Sequence, residues 1–172
     1  MRPENEARLR KIKKASQVLR VICKLLLVLV VILGIASVLT VTSGLGGIDS
    51  GNMVFRTGGL ALGHRIALGL VTVAAWAVLF KAIYHLHGLF GKYSRGEIFT
   101  RSAVGQLRQF GIGCLLWGVM SWVWMLSLAL SLPHGKTFRG NADAFAIGVA
   151  IIVIAWFMDM AVDLREENDL TV

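Results

Sequence analysis

Charge is scarce in this chain, and acidic charge most of all. Only 16% of the 172 residues are charged, against roughly 25% in an average globular protein, and 10 Asp and Glu stand against 18 Lys and Arg. Proline occurs twice and cysteine twice, with no C-x-x-C pair, so a disulfide scaffold or a cysteine-rich zinc module is excluded. The hydrolase signatures G-x-S-x-G and H-E-x-x-H are missing, and the chain is expected to be no enzyme and to need no cofactor. G-x-G-x-x-G and the P-loop are missing too, which removes the usual nucleotide cradles. What is abundant is apolar. Hydrophobic side chains make up 56% of the sequence and the mean hydropathy is +0.69. Disordered tracts are never this apolar, and a soluble domain would carry more charge. An integral membrane protein remains.

A helix crosses the roughly 30 Å hydrocarbon layer in about 20 residues, so the intervals between charged side chains locate the spans. Lys24 and Asp49 bracket 24 uncharged positions, and Arg108 and Lys136 bracket 27. Arg65 and Lys81 bracket 15, beyond which the apolar pattern resumes through Ile83 and Leu86, so this helix carries an embedded lysine. Asp143 and Asp159 also bracket 15, too few to cross unless the helix continues past Asp159. The expected architecture is all-α: an antiparallel four-helix membrane bundle in a single domain over residues 1–172. Its spans fall at about 20–43, 62–88, 104–132 and 143–164, preceded by a basic amphipathic segment.

Lys and Arg collect on the cytoplasmic side of membrane proteins. Residues 1–24 hold eight, residues 81–108 hold five and Arg165 adds one, leaving Arg56, Arg65, Lys136 and Arg139 for the other side. Both termini are therefore expected in the cytoplasm, and the protein in the inner cell membrane. A cleaved signal peptide over residues 1–44 is the competing reading, but its apolar run is long and no A-x-A site follows; a signal anchor fits better.

Leu9, Ile12, Leu19 and Ile22 recur among basic residues at near-helical spacing, so this segment is expected to lie on an anionic inner leaflet and run into the first span. A docking surface for an acidic partner is the alternative. Direct nucleic-acid binding is not expected, because membrane topology already explains the basic charge. Six glycines between residues 43 and 59 describe a loop or short hairpin on the outer side. On the inner side, Gly91 and Gly96 permit tight turning, Thr100 or Ser102 can cap the third helix, and Phe99 can pack back as a staple.

The run Tyr93, Ser94, Arg95, Gly96, Glu97, Ile98, Phe99, Thr100, followed by Leu107, Arg108 and Gly111 and by the terminal segment 164–172, resembles the bacterial membrane family called domain of unknown function 2975. The resemblance implies four spans. Because members often adjoin genes for a small helix-turn-helix regulator, it also implies a membrane sensor or tether for a cytoplasmic transcription factor. It carries over no catalytic residues and lends no support to the basic leader.

Lys81 and Asp159 are the sharpest intramembrane candidates. Each lies 16 residues after the charge at the outer end of its helix, Arg65 and Asp143, so they share a depth, and an ion pair between them is expected. Snorkelling to the headgroups is the plainer explanation. A second electrostatic expectation sets the tail, with five acids in residues 159–172, against the inner loop or the leader. The candidate partner contacts are Tyr93, Arg95, Glu97, Phe99, Arg101, Glu166, Glu167 and Asp169. His85 and His87 point in nearly opposite directions on a helix and cannot share a metal; His64 and His134 could approach one another near the outer ends. Small residues four apart, Gly59 with Gly63, Cys114 with Gly118 and Ala144 with Gly148, permit close helix approach. The leading expectation is a non-enzymatic regulatory membrane protein with a helix-turn-helix partner. A small ion or solute transporter using Lys81 and Asp159 is the alternative, and a haem or quinone subunit the third. Self-association into a homo-oligomer stays open.

Overall fold

The computed structural model describes residues 3–44, 47–49, 54–56, 59–97, 100–131 and 142–170. Four long helices dominate: α1 (Pro3–Ser43), α2 (Leu62–Tyr93), α3 (Arg101–Ser131) and α4 (Ala142–Leu170). All four are long and apolar enough to cross a bilayer. Between α1 and α2 lie two three-residue strands, β1 (Gly47–Asp49) and β2 (Val54–Arg56). They pair antiparallel with Ile48 opposite Phe55.

α1 is one unbroken helix of 41 residues, about 60 Å long at 1.5 Å per residue. The basic segment expected on the membrane surface is thus the first half of the same helix as the span. The cause lies in composition: no Gly or Pro interrupts residues 4–33, and Pro3 suits a first helical turn, where its missing N–H costs nothing. α1 ends where Gly44 takes a positive φ of 70°, the left-handed conformation that glycine adopts without strain.

The other termini are equally local in origin. The α2 N-terminus has no side-chain cap; the Ala61 carbonyl accepts from the His64 and Arg65 N–H groups, and Arg65 Nε donates to the Leu60 carbonyl. At the far end Gly96, at φ 88°, turns the chain so that the N–H groups of Arg95 and Glu97 reach the Lys92 carbonyl. Of the two capping candidates, Thr100 opens α3: its Oγ1 accepts from the Ala103 N–H at 3.2 Å. The Phe99 staple and the loop 132–141, with His134, lie outside the described residues.

Each helix packs against its neighbour in sequence, α1 on α2, α2 on α3 and α3 on α4. The glycines fix the registers. Gly69 meets Thr42 and Gly34 meets Trp76, then Gly113 meets Ala82 and Gly88 meets Gln106, and finally Gly118 meets Phe145 and Gly148 meets Leu115. Position rises on one helix as it falls on the next, which makes the bundle antiparallel throughout. Two of the expected small-residue pairs lie on these seams, through Gly118 and Gly148, whereas Gly59 and Gly63 face open space. α1 and α4 are not closely packed on one another, so the bundle is open along that side.

The buried core is small. Two of its clusters are Val41 and Leu68 near the hairpin end, with Leu60 and Trp124 against them, and Val104, Ala155 and Val162 toward the other end, with Leu107 and Met158; Cys23, Val30, Ala82, Leu89 and Ala103 are buried as well. Large apolar side chains such as Val28, Ile35, Leu70, Leu126, Ile154 and Phe157 point outward. In water such a surface would aggregate; in hydrocarbon it is the expected exterior.

Candidate functional site

At the end of the bundle holding the α2–α3 turn, polar side chains join all four helices in sequence. Between α1 and α2, Arg20 Nε donates to His87 Nε2 at 3.4 Å, which requires a ring lone pair and hence the tautomer protonated on Nδ1. The guanidinium packs over Gly91, where a Cβ would lie 3.6 Å from Arg20 Nε. Between α2 and α3, His85 Nδ1 lies 2.8 Å from Gln106 Oε1, and Lys92 Nζ donates to the Ser102 carbonyl at 2.7 Å. The two histidines face different neighbours, as their spacing of two demands, and among the described residues no cluster of three metal-ligating side chains occurs.

Between α3 and α4 the contact is ionic. Arg101, the first residue of α3, donates from Nε and Nη2 to the two Glu166 carboxylate oxygens at 3.1 and 2.8 Å, and from Nη2 to Asp163 Oδ1 at 3.0 Å. Asp159 adds to the negative field at Arg101 from one turn earlier. Asp159, Asp163 and Glu166 follow i, i+4, i+7 spacing, one face of a helix. The pairs are half exposed to solvent, a setting in which ion pairs contribute little and exchange readily.

The pairing of Lys81 with Asp159 is not formed. Both side chains are exposed, and among the described residues no ion pair joins them. Equal depth is insufficient, because α2 and α4 flank α3 instead of each other. Lys24 and Arg108, on α1 and α3, are exposed as well. Of the partner-contact candidates, Arg101 and Glu166 meet. Arg95 hooks its Nε onto the Gly91 carbonyl at 3.2 Å, Tyr93 is half-buried, and Glu97 and Glu167 are exposed. Phe99 and the Asp169 side chain lie outside the described residues. Arg20 and Gln106 were not predicted from sequence as site residues. The depth argument applied to Lys81 would have brought Arg20 and His87 together, since they lie at the same end of adjacent antiparallel helices.

A second feature lies toward the hairpin end. A cavity of about 410 Å³ opens between α1, α2 and α3. Trp76 and Trp117 meet edge to face on its wall, their centroids 6.4 Å apart. Beside them Trp124 Nε1 donates to Thr72 Oγ1 at 3.3 Å.

This geometry defines a multi-pass helical membrane protein whose neighbouring helices are locked by glycine contacts and tied at one end by polar links. The family described as "Protein of unknown function (DUF2975)" matches residues 61–172, and the chain belongs to that family. The match takes in α2, α3 and α4 and leaves α1 outside it. Neither a curated protein nor a solved structure matches the chain.

Proposed function

We propose that the protein is a non-enzymatic regulatory membrane protein. Its polar end faces the cytoplasm of the inner membrane and presents the α2–α3 turn and the acidic end of α4 to a soluble regulator of the helix-turn-helix type. The observation that carries this reading is that each pair of neighbouring helices is joined by a side-chain link at this end, Arg20 to His87, His85 to Gln106 and Arg101 to Asp163 and Glu166, around one exposed turn. A helix displaced anywhere in the bundle alters what that turn presents. The Arg101 link is exposed to solvent, so a partner of matching charge can compete for Arg101 or Glu166 at small cost. The orientation follows from the basic residues gathered at this end.

A photo-crosslinking amino acid in place of Arg95, in the full chain in living cells, tests the reading. Cross-linking to a soluble DNA-binding protein, absent when the crosslinker replaces Leu62 and reduced by Arg101→Glu, is the expected result. Cross-links to lipid alone, or the same partner from both ends, would overturn it.

A further inference from the structure

The polar end divides its charges unevenly. Arg101 gathers Asp163 and Glu166, and α4 is not closely packed on α1, so those carboxylates belong to the α3–α4 seam. The α1–α2 seam has no such compensation. His87, Gly91 and Arg95 follow one another at intervals of four, a single stripe of α2, and α1 lays Arg20 and Lys13 along it. Arg20 Nε donates to His87 Nε2, and a Cβ at Gly91 would lie 3.6 Å from Arg20 Nε and 3.9 Å from its Nη2. Arg95 reaches the same residue, donating from Nε to the Gly91 carbonyl at 3.2 Å. One turn on, a Cβ at Gly96 would lie 3.6 Å from Lys13 Nζ. Each guanidinium thus spends its Nε within the protein, and among the described residues neither their Nη groups nor the Lys13 ammonium has a partner. Glu97, the acid beside the turn, is exposed and forms no ion pair among the described residues.

Like charges gathered without a counter-charge repel one another, and a bound anion removes that cost. Two guanidinium forks and an ammonium suit the oxygens of a phosphate. The His87 ring, accepting from Arg20 through a lone pair, is neutral and neutralises nothing. Glycine at 91 and 96 leaves no side chain between the cations to keep an anion out. The level fits as well. Arg20 comes about one turn before the uncharged run that opens at Leu25, and Gly91 directly follows Leu89 and Phe90, so the cluster lies where hydrocarbon gives way to headgroups. A phosphomonoester brings three terminal oxygens and close to two negative charges, whereas a diester brings two such oxygens and about one charge. We propose that Lys13, Arg20 and Arg95 form a phosphomonoester site on the α1–α2 seam, filled by the headgroup of an anionic lipid or by a small soluble phosphate. The site stands independently of the regulatory reading, since the anion needs neither Arg101 nor α4.

Native mass spectrometry of the full chain, released from detergent and titrated with lipids of identical acyl chains, counts the bound molecules. Dioleoylphosphatidate, whose headgroup is a phosphomonoester, is expected to bind saturably and roughly tenfold more tightly than dioleoylphosphatidylglycerol, a diester. Arg20→Gln with Arg95→Gln should remove that preference. Lys81→Gln with Arg108→Gln, which takes the same charge from elsewhere on the bundle, should keep it. Arg20→Lys with Arg95→Lys preserves every charge and loses only the forks, so it should fold as the parent does and cut the preference to about threefold. Glycerol 3-phosphate identifies the source. Displacement of the phosphatidate at equal concentration assigns the site to soluble phosphates, and retention of the lipid against a large excess assigns it to the membrane; the site stands in both cases. Equal affinity for monoester and diester would overturn the proposal, as would a preference that survives Arg20→Gln with Arg95→Gln. So would one that Lys81→Gln with Arg108→Gln abolishes as well, since a diffuse positive surface would then account for it.

Discussion

Gly113 shows how much of this fold depends on single missing side chains. A Cβ built there would lie 2.6 Å from the Ala82 Cβ, closer than two carbons can approach, so any larger residue must push α2 and α3 apart. Gly113→Leu is expected to destabilise the protein by about 1–3 kcal/mol, read from thermal loss of helicity in detergent. Gly105→Leu, at a position with open space around it, should leave the midpoint unchanged. A similar loss from both would show that the α2–α3 contact is not tight. Lys81 and Asp159 make the opposite point. They lie apart on the outside of α2 and α4, so Lys81→Ala and Asp159→Ala should have additive effects on stability, to within about 0.5 kcal/mol. Coupling well beyond that would mean the two side chains meet. The shared depth of the two charges is readable from sequence because it needs only counting. Their azimuth is not, because it depends on which helices are neighbours. The face made by Asp159, Asp163 and Glu166, by contrast, can be read at helical spacing, and it finds Arg101.

Among the elements, α4 has its last turns tied by ion pairs open to solvent. Its link to α3 runs through the half-exposed Arg101, Asp163 and Glu166 group. Arg101→Glu should free the last turns, raising amide hydrogen exchange over 163–168 while leaving 148–155 protected. The charge swap Arg101→Glu with Glu166→Arg should restore protection in part. Unchanged exchange in the single variant would mean that the ion pairs do not hold the turn. High salt should mimic the single variant, since pairs this exposed are screened. The helices themselves are legible because intervals between charges measure the membrane directly. The expected spans at 62–88, 104–132 and 143–164 fall within a few residues of α2, α3 and the apolar part of α4. Past residue 164 α4 continues to Leu170 through polar residues that hydropathy does not mark, and α2 runs on through Leu89 and Phe90 to Tyr93. From sequence the first half of α1 reads as a segment on the inner leaflet that runs into the first span. Its basic periodicity suits an interface, but periodicity records which face is apolar and says nothing of a bend, and no breaker stands between Pro3 and Gly34.

At the scale of the whole molecule, successive helices pack as neighbours and the α1–α4 side stays open. Short connections make antiparallel neighbours the default for a chain of this kind, which is why the bundle could be anticipated from four apolar runs. The cavity could not. Its wall takes Ser37 and Thr40 from α1, Thr72 and Trp76 from α2 and Trp117 and Ser121 from α3, and no local pattern says that these six meet. The lopsided basic charge leads to a prediction at this scale: reversing Lys13, Lys14, Arg20 and Lys24 to Glu together should invert or scramble insertion, detectable as loss of a single glycosylation-mapped or protease-mapped topology. A single topology retained by that variant would mean that the first helix does not set the orientation.

The most direct test of the central claim, four crossings with the basic end inward, uses a variant lacking Cys23 and Cys114 with one new cysteine at a time. A membrane-impermeant maleimide applied to intact cells should label Leu62→Cys and spare Arg95→Cys, and the second should react only after the membrane is opened. Labelling of Arg95→Cys from outside intact cells, or equal labelling of both positions, would contradict the account.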